Sequence, residues 1–386
     1  MANSELSSMI IILFICTISL SIGSIPCKED LLTNQAALFV FGDSLFAAEN
    51  NNYFDTVSSF WWNYWPYGKT RFKFPPGCQE VWSLAPFKKP WDIQNFQMGI
   101  TQMNQMICLP PTGISEGPIF SWVAWPLWLA QEHNTDASWK PELQIADLGW
   151  ISINFGTQLN NFKNAEKTLR STLVDAEARR VLSKAVYPFH IGANDYQYPF
   201  FANTSTFSTI TKERLIDFVV GNTTIVIEQG NSDSLSLGPY GCTPSSSIID
   251  RTKIGSCFEP ITELINLHNQ EFPKVLRRLE RELSGFKYAL HDFYNSLSQR
   301  INNPSRYGFK EGKMGCCGSG PLRGINTCGF RNGPSQGYEL CENVEDYIFF
   351  VPSHLTEKAH RQIAELIWSE PPNVTAPYNL KTLFGL

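Results

Sequence analysis

Three short segments of the chain carry side chains that could together perform nucleophilic catalysis. They are Phe41-Gly-Asp-Ser44-Leu45, Gly192-Ala-Asn194-Asp195, and the region of His354 near the carboxyl end. A serine at a strand-to-loop junction can act as a nucleophile, and a histidine can take its proton. The Asn194 amide and the backbone N–H of Ser44 could stabilise an oxyanion. Each segment alone also fits a turn, a helix cap or a structural histidine, so only their combination indicates nucleophilic catalysis.

Alternating strand and helix patterns surround these segments. Strands are predicted at 37–41, 150–155, 186–191, 224–227, 234–237 and 288–290. Apolar residues at three- and four-residue spacing predict helices over 261–283, where Pro273 should kink or split the helix, and over 356–368. This alternation predicts a mostly parallel sheet covered on both faces, with Ser44, Asn194 and Gly241 at one edge. The aromatic segment 60–67 is either a pocket wall or ordinary packing.

The composition excludes two broad classes of protein. The chain has 386 residues, 43% of them hydrophobic and only 17% charged, so it has enough apolar surface to fold. Its 31 basic and 36 acidic residues leave no basic excess for nucleic acid, and no nucleic-acid partner is expected. The length suits one large α/β domain, and no repeat or linker is visible.

The amino terminus predicts entry into the secretory pathway. Residues 9–20 form an uncharged apolar run, shorter than the about 20 residues that a bilayer requires, and small residues follow at 21–24. We therefore expect a signal peptide over 1–24 and a mature domain over 25–386 with no transmembrane span. An uncleaved anchor stays the alternative, because this region has Glu5 and no lysine or arginine.

The cysteines also indicate an oxidising compartment. Nine of the 10 lie beyond the predicted signal peptide, which allows up to four disulfides and one free thiol. A local bridge is predicted between Cys242 and Cys257. A second cluster comprises Cys316, Cys317, Cys328 and Cys341. Disulfides are favoured over a zinc site here, because the cluster lacks zinc-ligand spacing and contains no histidine. No metal or cofactor is expected.

Three glycosylation sequons agree with secretion. They begin at Asn203, Asn222 and Asn373. The final compartment is expected to be the endoplasmic reticulum, the vacuole or the extracellular space.

Ten motifs in order resemble the plant GDSL esterase/lipase family, part of the SGNH hydrolases. They are Phe41-Gly-Asp-Ser-Leu, Asn50-Asn-Asn-Tyr, Pro66-Tyr-Gly, Asn154-Phe, Gly192-Ala-Asn-Asp, Gly238-Pro-Tyr-Gly-Cys, His268-Asn, Asn303-Pro-Ser-Arg-Tyr-Gly-Phe, Cys316-Cys-Gly and His354-Leu-Thr-Glu. The resemblance implies a three-layer α/β/α flavodoxin-like fold with a Ser–His–Asp site. It implies Ser44 as nucleophile, His354 as general base, and Asn194 as oxyanion donor with Gly192 in its supporting turn.

Three departures from the family pattern predict a degraded site. The family has aspartate three residues before its catalytic histidine, whereas this chain has Val351. Losing that acid costs about 10⁴-fold in comparable triads. Leu159 stands where the family has an oxyanion glycine, although a leucine keeps its backbone N–H, and segment 76–83 has lost the family sequence.

The sequence leaves open whether another acid replaces the missing one. The candidates are Asp346, Glu357, Glu342 and Asp292. A Ser44–His354 dyad with weak esterase activity, as in lipid degradation, is a further alternative.

The degraded motifs look most like the myrosinase-associated, inactive branch of the family. That resemblance implies an inactive protein of plant defence, associated with β-glucosidase (myrosinase) or lectin complexes, whose pocket could still hold an acyl-ester-like ligand. A storage glycoprotein without a ligand is the third hypothesis.

Overall fold

The structure is a computed structural model that describes residues 38–46, 66–67, 119–123, 155–201, 210–228, 232–328, 337–369 and 372–385. The predicted signal peptide, the Asn203 sequon, segment 76–83 and most of the aromatic segment 60–67 lie outside these residues. The signal peptide and the domain boundary at residue 25 therefore stay predictions.

A six-stranded sheet forms the centre of the fold. Its strands are β1 (Leu38–Gly42), β2 (Ile119–Val123), β3 (Tyr187–His190), β4 (Ser232–Leu235), β5 (Tyr288–His291) and β11 (Thr375–Pro377). Their order is β11-β5-β4-β3-β1-β2, and all neighbours are parallel except the antiparallel edge strand β11. The carboxyl ends of β1, β3, β4 and β5 therefore meet at one edge of the sheet.

Eight α-helices accompany the sheet in the part of the chain that the structure describes. They are α1 (Phe155–Thr172), α2 (Asp175–Ser183), α3 (Ala193–Phe201), α4 (Lys212–Ile227), α5 (Glu259–Glu282), α6 (Phe293–Asn302), α7 (Glu357–Ser369) and α8 (Leu380–Gly385). One group packs α1 against α2 and α4, and α4 against α5, whereas another packs α7 against α6 and α8. The predicted α/β fold with a mostly parallel sheet is confirmed.

Most of the predicted elements occur where expected, with corrections. The predicted strand 224–227 is wrong, because these residues end helix α4. Its β-branched residues suggested a strand, but the Thr223 and Thr224 hydroxyls donate to the carbonyls four residues earlier, at 2.9 and 2.8 Å. The strand predicted at 234–237 begins two residues earlier, and Phe155 starts a helix. Pro273 lies inside α5 without splitting it.

A smaller sheet carries the carboxyl-terminal histidine. It consists of β6 (Glu311–Gly315), β9 (Tyr347–Val351) and β10 (His354–Leu355), with β9 antiparallel to β10. A separate pair of short antiparallel strands, β7 (Cys317–Gly318) and β8 (Glu339–Leu340), lies between β6 and β9 in the sequence. Three disulfides, Cys242–Cys257, Cys316–Cys341 and Cys317–Cys328, confirm the predicted local bridge and the disulfide reading of the cluster.

Candidate active site

Ser44 lies directly beyond the carboxyl end of β1. The backbone N–H of Leu45 donates to Asp43 Oδ1 at 3.0 Å, which closes a tight turn around the serine. Ser44 then begins a single 3₁₀ turn, Ser44–Phe46, whose other two side chains are buried. The half-buried serine is thereby presented at the edge of the sheet.

His354 contacts Ser44 from the smaller sheet. Its Nε2 lies 2.8 Å from Ser44 Oγ, although 310 positions separate the two residues in the sequence. This distance is that of a hydrogen bond between a nucleophile and its base. The two residues that sequence reasoning singled out are therefore brought together.

Among the described residues, no acid lies on the other side of the His354 ring. In the part of the chain that the structure describes, Ser44 is the hydrogen-bond partner of His354, and no carboxylate contacts Nδ1. Val351 pairs directly with His354 between β9 and β10, and its side chain is buried in an apolar cluster with the disulfide residues Cys316 and Cys317. Burial lowers the pKa of His354 to about 4, against the opposing field of Asp43.

The four candidate substitute acids lie elsewhere. Asp346 pairs with Lys310 at 2.9 Å, Glu357 pairs with Arg361 on its own helix, and Asp292 caps α6. Glu342 is exposed to solvent. Among the described residues, none of these carboxylates takes the place of the missing acid.

The predicted oxyanion segment lies just beyond β3, the strand next to β1. Gly192 has a φ of 110°, and a Cβ there would lie 2.9 Å from Val219 Cγ1, so the turn requires glycine. Asn194 follows at the start of α3 and is half-buried. Its side-chain amide makes no hydrogen bond with the residues described here.

Leu159 lies inside the first turns of α1 rather than in a loop. As the fifth residue of the helix, it has its backbone N–H directed to the carbonyl of Phe155, the first. A leucine keeps its backbone N–H, but the helix occupies that donor.

Gln158, the residue before Leu159, connects α1 to Gly42, the last residue of β1. The fully buried Gln158 amide donates to Gly42 O at 3.0 Å and accepts from Gly42 N at 3.2 Å. Sequence reasoning missed this contact, because nothing local in the sequence connects positions 42 and 158.

Comparison with known proteins identifies the family. The model of the GDSL-like lipase/acylhydrolase family matches residues 38–367, which is most of the chain. The chain belongs to this family. Two relatives from Arabidopsis thaliana are GDSL esterase/lipase 4, 67% identical over the whole of both chains, and GDSL esterase/lipase 3, 57% identical over 98% of each.

The expected closeness to the inactive branch is not supported by these comparisons. A relative named inactive GDSL esterase/lipase-like protein 25, also from Arabidopsis thaliana, is 33% identical over only 53% of this chain. The more similar relatives are named esterases/lipases without that qualification. The substitution at position 351 must therefore be judged from its own surroundings.

Two buried histidines were not assigned to the site from sequence. His190 ends β3, and its ring nitrogens lie 3.2 Å from Asp43 Oδ1 and 3.1 Å from the Tyr240 hydroxyl. A signal existed in the sequence, because polar residues at the ends of two predicted strands can meet at one sheet edge. His268, by contrast, is a buried helix residue bonded to Tyr196 at 2.9 Å.

Two further observations bear on the compartment. The three disulfides are consistent with the secretion expected of plant GDSL esterases/lipases. Within the residues that the structure describes, no helix is both long enough and apolar enough to cross a membrane.

Proposed function

We propose that this protein is a carboxylic ester hydrolase of low turnover that uses a Ser44–His354 dyad. The observation that supports this most strongly is the 2.8 Å contact between Ser44 Oγ and His354 Nε2. The relatives named esterases/lipases, at 57–67% identity, agree with the retained nucleophile and base.

The proposed reaction follows acyl transfer to serine. His354 Nε2 takes the hydroxyl proton as Ser44 Oγ attacks the ester carbonyl, and the imidazolium returns that proton to the leaving alcohol. Water then attacks the acyl-enzyme with the same base and releases the acid. The Asn194 amide and the Ser44 N–H are the proposed donors to the oxyanion, with Gly192 shaping the turn that carries Asn194.

The low turnover follows from Val351. Among the described residues, no acceptor at Nδ1 holds the tautomer in which Nε2 accepts the serine proton, and no carboxylate stabilises the imidazolium from that side of the ring. The expected cost is about 10⁴-fold relative to a complete triad. The occupied N–H of Leu159 lowers transition-state stabilisation further.

A fluorophosphonate probe and a short-chain p-nitrophenyl ester test this function on the purified full chain. Covalent labelling of Ser44 and slow turnover are expected, both abolished in Ser44→Ala and both strongly reduced in His354→Gln. A folded protein with no labelling at millimolar probe, or labelling that survives Ser44→Ala, contradicts the proposal.

A non-hydrolytic role is the second candidate, and the burial of Val351 in an apolar cluster favours it. In that case the protein binds an acyl ester without turning it over, as part of a defence complex with a β-glucosidase or a lectin. This role would be favoured over the dyad enzyme by two results together. An ester analogue would bind saturably to both the wild type and Ser44→Ala, and the fluorophosphonate probe would not label the protein.

A further inference from the structure

A chain of three buried polar side chains leads to the residue before the nucleophile. The Tyr240 hydroxyl contacts His190 Nε2 at 3.1 Å, and His190 Nδ1 contacts Asp43 Oδ1 at 3.2 Å. Their exposed fractions are only 9%, 1% and 3%. Buried polar groups that satisfy one another in this way have a fixed geometry.

The direction of the hydrogen bonds follows from chemistry. A carboxylate can only accept, so His190 Nδ1 donates to Asp43, and in the matching neutral tautomer Nε2 is left to accept from the hydroxyl of Tyr240. Burial raises the pKa of Tyr240 well above its usual value, so the hydroxyl keeps its proton. Both bonds therefore donate towards Asp43.

The backbone fixes the carboxylate from the other directions. Asp43 N donates to His190 O at 3.1 Å, and Leu45 N donates to Asp43 Oδ1 at 3.0 Å. Gly42 pairs with His190 in the parallel register of β1 and β3, and a Cβ at Gly42 would lie only 2.7 Å from His190 O. The Asp43 carboxylate is thus immobilised next to Ser44.

Among the residues that the structure describes, Asp43 is also the charged group whose electrostatic field acts on His354. Among the described residues, the groups that interact with this ring are Asp43 and Ser44 beyond β1 and His360 on α7. Burial lowers the pKa of His360 to about 3, so His360 is uncharged near neutral pH. The field of Asp43 raises the pKa of His354, against the effect of burial.

We propose that Asp43 is a positioning residue of this site, held in place by His190 and Tyr240. Its carboxylate supplies a negative charge to His354 from the Ser44 side. An acid at position 351 would supply such a charge from the opposite side. The proton moves only from Ser44 Oγ to His354 Nε2, and Asp43 stabilises the resulting imidazolium through space without taking a proton. The inference rests on the proposed function only in treating His354 as the base.

A titration of the histidine rings tests the electrostatic part without requiring activity. Two-dimensional NMR of the ¹⁵N-labelled full chain follows His354, assigned with His354→Gln. Asp43→Asn should lower its midpoint by about one pH unit, since it removes a nearby opposite charge while keeping the shape of the side chain. Asp346→Asn is the matched control, because it removes an acid that pairs with Lys310 instead. A midpoint that is equal in wild type and a folded Asp43→Asn overturns the proposal.

Labelling of Ser44 by the fluorophosphonate probe tests the positioning part. Asp43→Asn should slow labelling about tenfold and move its acidic limb to lower pH. His190→Leu should slow it similarly, whereas His190→Asn, whose amide can donate to Asp43 in place of Nδ1, should restore most of the rate. Equal rates in the two His190 variants contradict the proposal.

The outcomes separate this inference from the proposed function. Absent labelling in wild type refutes the dyad enzyme, while the NMR midpoint still decides the role of Asp43. If thermal melting shows that Asp43→Asn does not fold, the His354 midpoint in His190→Leu against His190→Asn decides instead. No difference between these two midpoints then overturns the inference.

Discussion

Val351 and His354 are paired residues of adjacent antiparallel strands. The two Cα positions face each other between β9 and β10. An acid at 351 would therefore start close to the ring that contacts Ser44, but the valine packs with disulfide cysteines in an apolar cluster instead. The Ser44–His354 contact is thus formed while apolar packing occupies the position at which we expect a triad acid.

Restoring the acid should raise activity. Val351→Asp is expected to increase p-nitrophenyl ester turnover tenfold or more, because a carboxylate can fix the His354 tautomer and stabilise the imidazolium, with about 10⁴-fold as the upper limit. It should also raise the pKa of His354 from about 4, so the acidic limb of the pH–rate profile moves to higher pH.

The control for this prediction is Val351→Asn, which places a neutral amide at the same position. It should leave both the rate and the acidic limb near those of wild type. An unchanged rate in a Val351→Asp variant with a wild-type near-UV circular dichroism spectrum would show that position 351 does not limit the site.

Acid should destabilise the fold through its buried histidines. Burial lowers the pKa of His291 to about 4 and those of His268 and His360 to about 3. The unfolded chain takes up these protons below about pH 6.5, whereas the folded chain does not. The free energy of unfolding is therefore highest above pH 6.5 and falls as the pH drops towards 4. The contribution of His291 to this fall is about 3 kcal/mol.

Urea unfolding between pH 4 and 7 checks this dependence. His291→Gln should make the free energy of unfolding less dependent on pH, because it removes one of the titrating rings. In the wild type, Nδ1 of this ring contacts Thr375 at 2.9 Å. A free energy of unfolding that stays constant across this range would refute the prediction.

The amide of Gln158 should stabilise the fold through Gly42. Gln158→Leu is expected to lower the free energy of unfolding by about 2–3 kcal/mol, since two hydrogen bonds to a buried backbone are lost. Denaturant unfolding measures the loss. Asn160→Leu, an exposed change on the same helix, is the matched control and should have an effect within about 0.5 kcal/mol. Equal losses in both variants would argue against the Gly42 contact.

Of the two sequons that the structure describes, Asn373 is the better acceptor for a glycan. Asn373 is exposed in a turn before β11. Asn222 lies within α4 and is only half-buried, and its Nδ2 donates to Phe218 O at 2.9 Å. Mass spectrometry after enzymatic deglycosylation in ¹⁸O-water should show conversion at Asn373 and little at Asn222. Full occupancy at Asn222 would contradict this expectation.

Local patterns in the sequence determined the family, the α/β fold, and the positions of Ser44, Asn194 and His354. They also located the substitution at Val351, because Tyr347, Phe349 and His354 fix the alignment over a few residues. Motif order suffices for these features, since each motif is a short stretch whose role repeats within a family. The strand predicted at 224–227 failed for the same reason, because a short β-branched run fits either a strand or a helix until its packing is known.

Only the tertiary structure decided how distant residues combine. It placed His354 against Ser44, with no acid behind the ring among the residues described, and it joined Asp43 to His190 and Tyr240 and Gln158 to Gly42. It also chose the partners of the clustered cysteines, which sequence left open. These contacts depend on the order of strands in the sheet and on what is buried between them, and that is a property of the whole chain rather than of any local segment.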